Sequence, residues 1–330
     1  MLEIPELAKD FEEMIKDWSD GFRKIQLLRV AVKMKLFDKL KEAKAIHDIK
    51  IGDEKLTRLM LDCLTALGLI RKADGKYMLS EVSKTFLTSD SPYSQLRCLD
   101  KLFSDLEMWT ELENILKKGP VTVERGKFFS ESVIHSMAQH ALLGELQKTV
   151  EVVSKYINTA RRLLDLGGGH GLYSIAFTKI NPHLTATVFD LPEVIEKARE
   201  YVQKYGAERV EFMAGDFFVD DIGAGYDVIF SSYNPSGKSV WMIDKIRKAL
   251  NPGGIYINKQ YFRSNSKEVD LCDLEWNLWR FGEIEKAEKK YTFEKDLDID
   301  EYMRKLVNSG FEVLEVLDFG EANMIVARKK

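Results

Sequence analysis

The sequence predicts an α/β protein: a doubly wound sheet in the C-terminal half, preceded by a helical N-terminal region. Three observations carry this expectation. From Arg161 onward, short apolar runs alternate with helical stretches, the order that builds a sheet with helices on both faces. The run Leu163-Leu164-Asp165-Leu166 passes into Gly167-Gly168-Gly169-His170-Gly171 and then Leu172-Tyr173, which reads as buried strand, glycine turn and helix. Residues before Arg161 carry mainly the 3.6-residue spacing of amphipathic helices.

Length and composition set the frame. A chain of 330 residues with 45% hydrophobic and 31% charged residues has ample material for a core and suggests two domains, or one large domain with an appendage. Lys and Arg total 49 against 53 Asp and Glu, a net charge of -4, which argues against broad nucleic-acid binding. No apolar run reaches the ~18 residues of a membrane span. The N-terminus lacks the basic-then-apolar pattern of a signal peptide, so a cytoplasmic location is expected. Cys63, Cys98 and Cys272 are scattered and form neither a metal-ligand spacing nor a disulfide framework. His47, His135 and His183 suggest no metal either.

Residues 1 to about 40 are expected to form two helices. Phe11, Ile15 and Trp18 mark the first; Ile25, Leu28, Val32 and Leu36 mark the second, ending near Leu40. Faces this apolar bury against the rest of the domain or a second subunit. Residues 44–88 read as a winged helix-turn-helix. Asp53 opens a helix carrying Leu59, Leu61, Leu64 and Leu67, and Ile70–Leu79 is a hairpin turning at Asp74-Gly75. A DNA-reading helix would expose Arg, Lys, Asn or Gln; this one offers Lys55 and Arg58 among acidic neighbours. A degenerate winged helix used for dimerisation is the competing reading. Residues 95–160 read as helical connectors. Leu102, Leu106, Trp109, Leu112 and Leu116 mark one helix, Gly119-Pro120 breaks it, and two further stretches carry Met137, His140 and Tyr156. The domains expected are therefore 1–95, 96–160 and 161–330.

In the C-terminal part the strands are expected at 163–166, 184–190, 210–213, 226–230 and 255–257. Two more follow the last helix, at 311–316 and 323–327. That closing pair fits a reversed hairpin rather than a sixth parallel strand. The glycine turn ends the first strand, Asp190 the second and Asp216 the third, all at the edge where such sheets bind ligands. The helix N-terminus after the turn favours anionic or carboxylate groups. A carboxylate at Asp190 suits a bidentate contact to two ribose hydroxyls, and Asp216 suits an adenine amino group, with Phe217 covering the ring. A dinucleotide fingerprint would put its third glycine at position 172, which is leucine; Gly171 is present instead.

Asp165-x-Gly-x-Gly-x-Gly resembles the first motif of S-adenosylmethionine-dependent methyltransferases. The helical N-terminal region, Leu164-Asp165-Leu166-Gly167-Gly168-Gly169, Val188-Phe189-Asp190-Leu191-Pro192, Gly215-Asp216-Phe217-Phe218 and Ala249-Leu250-Asn251-Pro252-Gly253-Gly254 together are similar to the small-molecule O-methyltransferases over nearly the whole chain. This resemblance implies the class I methyltransferase fold, a seven-stranded sheet with an N-terminal winged-helix-like dimerisation domain. It also implies a homodimer and a cofactor site of Asp165, Gly167, Gly169, Asp190, Leu191, Asp216, Phe217 and Ser231. The residue before the glycines, Asp165, would contact the methionine amino end of the cofactor.

The resemblance fails at one place. The family's His-Asp-Trp, whose His is the general base, would fall at Ser232-Tyr233-Asn234. Its Gly-Gly-Arg-Glu-Arg-Thr segment is replaced by Trp276, Trp279, Arg280 and Phe281, then the charged stretch from Glu283 to Lys290. Three accounts remain open. Another group does the work: Tyr233 orients the acceptor, or His140, beside Met137 in a segment resembling the family's substrate-lining helix, titrates usefully. Or alignment with an ionised or electron-rich acceptor suffices, because the sulfonium methyl is already activated. Or the protein binds cofactor without methylating. Asn234-Pro235 also resembles part of the Asn-Pro-Pro-Tyr of amino-group methyltransferases, two residues too far from Asp227. Trp276 and Trp279 are either core or walls of an aromatic acceptor pocket. The reading is methyl transfer to a small-molecule hydroxyl, with N-, S- or C-methyl transfer on the same fold as the alternative. From another class, a winged-helix regulator that kept a cofactor domain remains.

Overall fold

The computed structural model describes residues 7–263, 268–282 and 285–330; the side chains of 130–132 are not described. The charged stretch expected from Glu283 begins outside these residues. The chain divides into two compact units, 1–103 and 104–330. No helix among the described residues is long and apolar enough to cross a membrane.

In the first unit a single helix, α1 (Ala8–Lys33), replaces the two expected. Gly21 alone costs about 1 kcal/mol in a helix and does not break it, and no proline intervenes. The helix stops where Lys35 takes φ +53, so Leu36 falls in the following short turn, α2 (Leu36–Lys39). Ala31, Leu36, Phe37 and Leu40 are buried with Leu61, Leu64, Ile70 and Tyr77. Phe11, Trp18 and Phe22, on the other face of α1, stay more than half exposed.

After β1 (Lys44–Ala45) comes α3 (Glu54–Ala66), capped by Asp53, whose carboxylate accepts the Leu56 N–H at 2.9 Å. The hairpin β2 (Ile70–Ala73) and β3 (Lys76–Leu79) turns through Asp74 and Gly75, both at positive φ, as a two-residue primed turn requires. The sheet order is β1-β3-β2, and α4 (Glu81–Phe86) follows. The outer face of α3 exposes Leu56 and Leu59, and Arg58 is bonded to Glu54 at 2.8 Å. That is a helix-and-wing unit whose outer face mixes Leu56 and Leu59 with exposed Glu54, Lys55, Arg58 and Asp62, with no basic surplus.

Helix α5 (Leu96–Thr110) and α6 (Leu112–Lys118) part at Glu111, inside the stretch expected to be one helix. Next come β4 (Val121–Val123) and a helical run over 125–157. That run comprises α7 (Arg125–Lys127), α8 (Ile134–His140) and α9 (Leu146–Ile157), joined by wide π-type turns at Phe128–Val133 and Ala141–Glu145. Gly144, at φ +122, breaks the helical path inside the second wide turn.

The large sheet then follows: β5 (Arg162–Leu166), α10 (Leu172–Ile180), β6 (Thr185–Asp190), α11 (Pro192–Tyr205), β7 (Val210–Ala214), β8 (Tyr226–Ser232), α12 (Val240–Ala249) and β9 (Leu250–Gln260). Beyond lie α13 (Leu271–Asn277), β10 (Trp279–Phe281), α14 (Ile299–Asn308), β11 (Phe311–Asp318) and β12 (Asn323–Lys329). The order is β11-β12-β9-β8-β5-β6-β7, with β12 antiparallel to β9 and the rest parallel up to β7. The expected reversed hairpin is β11–β12. β4 and β10, which pair in parallel with Trp279 opposite Val121, form a small sheet that no sequence pattern announced.

Alternation along the central strands builds both faces. Leu164, Ile229 and Tyr256 point to the layer containing Ile243, Tyr302 and Phe311. Leu163, Val228, Phe230 and Ile257 point to the layer containing Val153, Ile157 and Phe177. The strand order reverses between β5 and β8, so the crevice outside their C-terminal ends is where a ligand site is expected.

Candidate active site

The glycine turn leaves β5 with almost no spare room. Gly167 has φ +67, and a Cβ there would lie 2.8 Å from the Asn234 side chain. The N–H groups of Gly167 and Gly168 donate to the Phe189 carbonyl at 2.8 and 3.2 Å, tying the turn to the end of β6. The N–H of Gly169 donates to Asp190 Oδ2 at 2.8 Å, and the N–H of Leu191 to Oδ1 at 2.8 Å. Asp190 is thus held at the edge of the sheet by two backbone N–H groups. Burial pushes its carboxyl up to about 6.

Asp165 is buried beneath the turn, where Ser174 donates to Oδ2 at 2.8 Å. Burial pushes its carboxyl up to about 7. Asp216 follows β7; its Oδ1 accepts the Phe218 N–H at 2.9 Å and its Oδ2 an Arg125 guanidinium at 3.1 Å. Phe217 is buried among Leu164, Leu166 and Phe189, while Phe218 packs on Trp241. His170, within the turn, is buried and accepts the Leu172 N–H on Nδ1 at 3.1 Å. Burial, then the Lys259 ammonium, push its imidazole down to about 4, so it is neutral at ordinary pH.

A buried hydroxyl–amide network closes the ends of β8 and β9. Asn234 donates from Nδ2 to the Leu166 carbonyl at 2.8 Å, and its Oδ1 accepts the Ser236 N–H at 3.1 Å. Its amide is therefore committed to the protein at both ends, which disfavours the amine-holding role of an Asn-Pro-Pro-Tyr motif. Ser231 bonds Ser236 at 3.0 Å and accepts from Gln260 Nε2 at 3.3 Å. Gln260 Oε1 is buried and has no partner among the described residues.

Where the family's His would stand, the chain offers Ser232 and Tyr233. Tyr233 takes φ +54, a left-handed backbone that costs of order 1 kcal/mol for a non-glycine residue. Its hydroxyl donates to Glu145 Oε1 at 2.7 Å. Burial, then that bond, raise its hydroxyl far above the usual phenol range, so it is no base. Lys259, fully buried on β9 opposite Ser232, donates to the same Glu145 Oε1 at 2.5 Å, to Thr149 Oγ1 at 2.7 Å and to Tyr173 Oη at 3.0 Å. Burial pushes its amine down to about 8, against the pull of Glu145. The rings of Tyr233, Tyr261 and Tyr291 follow one another at 4.7 and 4.9 Å.

The structure brings Tyr233 and Asn234 to this place, but not His140. His140 is exposed at the end of α8. Met137 is half-buried on α8. Trp276 and Trp279 pack edge to face at 5.1 Å, with Lys286 Nζ seated on both rings and Phe128 4.5 Å from Trp279. No group of three or more metal-ligating side chains occurs among the described residues.

Sequence reasoning missed Glu145, Lys259 and Tyr173. Lys259 had a signal: a lysine following Ile255-Tyr256-Ile257 falls on the inward side of a central strand, where a charge is out of place. Glu145 had none.

Seven strands in this order, a reversed closing hairpin and a glycine turn on the central strand define the class I methyltransferase fold. Residues 121–270 match the O-methyltransferase domain, and residues 17–89 match the O-methyltransferase dimerisation domain. The chain belongs to the O-methyltransferase family of S-adenosylmethionine-dependent enzymes. An uncharacterized protein of Methanocaldococcus jannaschii is 37% identical over 95% of this chain and 88% of its own length. Acetylserotonin O-methyltransferase of Rattus norvegicus is 31% identical over 76% of this chain and 62% of its own length. The structure of human N-acetylserotonin methyltransferase in complex with SAM superposes with a TM-score of 0.68 at 20% identity, covering 99% of both chains.

Two predictions follow from this geometry. A Cβ at Gly237 would overlap Asn258 Oδ1 and Gln260 Nε2. Gly237→Ala is expected to break the buried amide network and cost roughly 2–3 kcal/mol in a denaturant titration. Asp165 has its pKa raised on folding, so its protonated form favours the fold. Its contribution is full below the ordinary carboxyl value of 3.8 and is lost as pH rises through about 7. Asp165→Asn removes that loss. The melting temperature of the variant minus that of the wild type is expected to grow between pH 4.5 and 7.5, by on the order of 4 °C or more.

Proposed function

We propose that this enzyme transfers the methyl group of S-adenosylmethionine to a hydroxyl of a small-molecule acceptor, without the usual His base. One observation carries the reading: the glycine turn with Asp165, Asp190 and Asp216 stand at the C-terminal ends of three successive strands, β5, β6 and β7.

The residues present fit the cofactor. Gly167 and Gly169 hold positive φ without a Cβ, so backbone meets the ligand directly. Among the described residues Asp190 accepts only the backbone N–H groups of Gly169 and Leu191, and it keeps oxygen lone pairs for the two ribose hydroxyls, beside Leu191. Asp165 is assigned to the amino end of the methionine moiety, and Ser231 stands on β8 opposite Leu166, one residue further along β5. Asp216 and Phe217 take the adenine end. Bound there, the cofactor supplies a sulfonium methyl already activated for transfer. The protein's part is then to align the acceptor and handle its proton. Met137, Tyr233, Asn234, Trp276 and Trp279 are assigned to the acceptor side. His140, being exposed, is the weakest member of the proposed set.

The dimerisation-domain match and the exposed Phe11, Trp18 and Phe22 of α1 support a homodimer formed through the N-terminal unit. The absent basic surplus, in the whole chain and on α3, where Lys55 and Arg58 are matched by Glu54 and Asp62, weighs against a DNA-binding regulator.

Calorimetric titration with S-adenosylhomocysteine tests the reading. The wild type is expected to bind, and Asp190→Ala to lose roughly a hundredfold or more in affinity, the worth of two hydrogen bonds to a charged acceptor. Absence of binding by the wild type would sink it. A screen of phenols, thiols and amines, beginning with N-acetylserotonin, would then identify the acceptor atom.

A further inference from the structure

We propose that Glu145 is the group that receives the acceptor's hydroxyl hydrogen, held in place by Lys259 and Tyr233; this rests on the methyl-transfer reading above. Three independent features converge on this carboxylate. It ends the wide turn Ala141–Glu145, a helix irregularity frequent at functional sites. Its Oε1 is gripped from two sides, by the Lys259 ammonium at 2.5 Å and the Tyr233 hydroxyl at 2.7 Å. Tyr233 reaches it only by holding a left-handed backbone at φ +54, the kind of strain that persists where function requires it.

Position makes the carboxylate usable. Lys259 is fully enclosed, and its three N–H groups are spent on Glu145, Thr149 and Tyr173. Glu145 is one-quarter exposed, so it is the reachable member of the pair. The cluster adjoins the glycine turn: Asn234, next to Tyr233 in the chain, packs its side chain against Gly167. Tyr233 stacks on Tyr261 at 4.7 Å, and Tyr261 lies 4.9 Å from Tyr291, so the carboxylate stands at the end of a column of aromatic rings. An aromatic hydroxyl, a phenol or naphthol, matches a carboxylate beside aromatic rings.

The step balances without a further reactant. The acceptor oxygen gains the methyl carbon, and the carbon–sulfur pair stays on sulfur. The O–H pair stays on oxygen as the proton passes to Glu145 and from its exposed edge to water. Lys259 and Tyr233 are positioning residues that keep the carboxylate ionised and aimed. Burial pushes the Glu145 carboxyl up, but the Lys259 ammonium, the Tyr233 hydroxyl and the charge of His140 outweigh it and leave it below its ordinary value. The other titratable groups facing the cluster are Tyr173 on α10, His170 in the turn and Tyr261 beyond β9.

The test compares binding of phenols with that of their methyl ethers, with 1-naphthol against 1-methoxynaphthalene and catechol against 1,2-dimethoxybenzene, in the presence of S-adenosylhomocysteine. The wild type is expected to prefer the hydroxyl of at least one pair by tenfold or more, and Glu145→Gln to lose that preference while still binding S-adenosylhomocysteine. Lys259→Met removes the cation that keeps Glu145 ionised, so the acid midpoint of the preference is expected to move to higher pH. Tyr233→Phe is expected to move it the same way by less. A merely structural role for Lys259 or Tyr233 would not move that midpoint. A preference that survives in Glu145→Gln overturns the proposal, as does a wild type indifferent to every hydroxyl in the panel. Failure of the wild type to bind S-adenosylhomocysteine would instead strike the cofactor reading.

Discussion

The tight contact between the glycine turn and its neighbours is the constraint on which this site depends. Strand β5 ends at Leu166, and within five residues the chain must reverse, clear Asn234 and Ile134, and start α10. Glycine at 167 and 169 makes that possible, and the Asp190 carboxylate fixes the result by accepting the Gly169 N–H. With the bonds to the Phe189 carbonyl, that contact joins the ends of β5 and β6 and leaves a carboxylate at the sheet edge. The cost is two buried acids, Asp165 and Asp190, whose charged forms the interior resists. Such a cost is typical of sites kept for a ligand rather than for stability.

The second buried charge system differs in kind. A lysine taken wholly out of water at β9 is tolerable only if every donor is satisfied, and Lys259 meets that condition with Glu145, Thr149 and Tyr173. Lys238 and Asp296 make a comparable pair at 2.9 Å, both nearly fully buried, and Lys238 also donates to the Tyr291 carbonyl. That pair is closed on itself and ties the turn after β8 to the segment near residue 291. The Lys259 pair remains open on the Glu145 side, and this difference separates a structural ion pair from one that can meet a ligand.

Much of the large sheet was legible in the sequence because its signals are local. Strand-sized apolar runs, the glycine turn and acidic strand ends each declare themselves within a few residues. The hairpin at Asp74-Gly75 and the cap at Asp53 were legible for the same reason. Errors came where no local chemistry marks the boundary: α1 runs through Gly21 unbroken, and α5 and α6 part at a glutamate. β4 and β10 lie 158 residues apart by register, and only their pairing makes either a strand. The Glu145–Lys259 cluster was least legible. Glu145 and Lys259 are 114 residues apart and meet only through folding, while His140, attractive by residue type, turns outward.

A crystal structure with S-adenosylhomocysteine tests the central claim most directly. The account predicts the ligand over the glycine turn, with the Asp190 carboxylate within hydrogen-bond distance of both ribose hydroxyls and the adenine towards Asp216. A ligand bound away from this turn, or one that leaves Asp190 bonded only to backbone N–H groups, would contradict it.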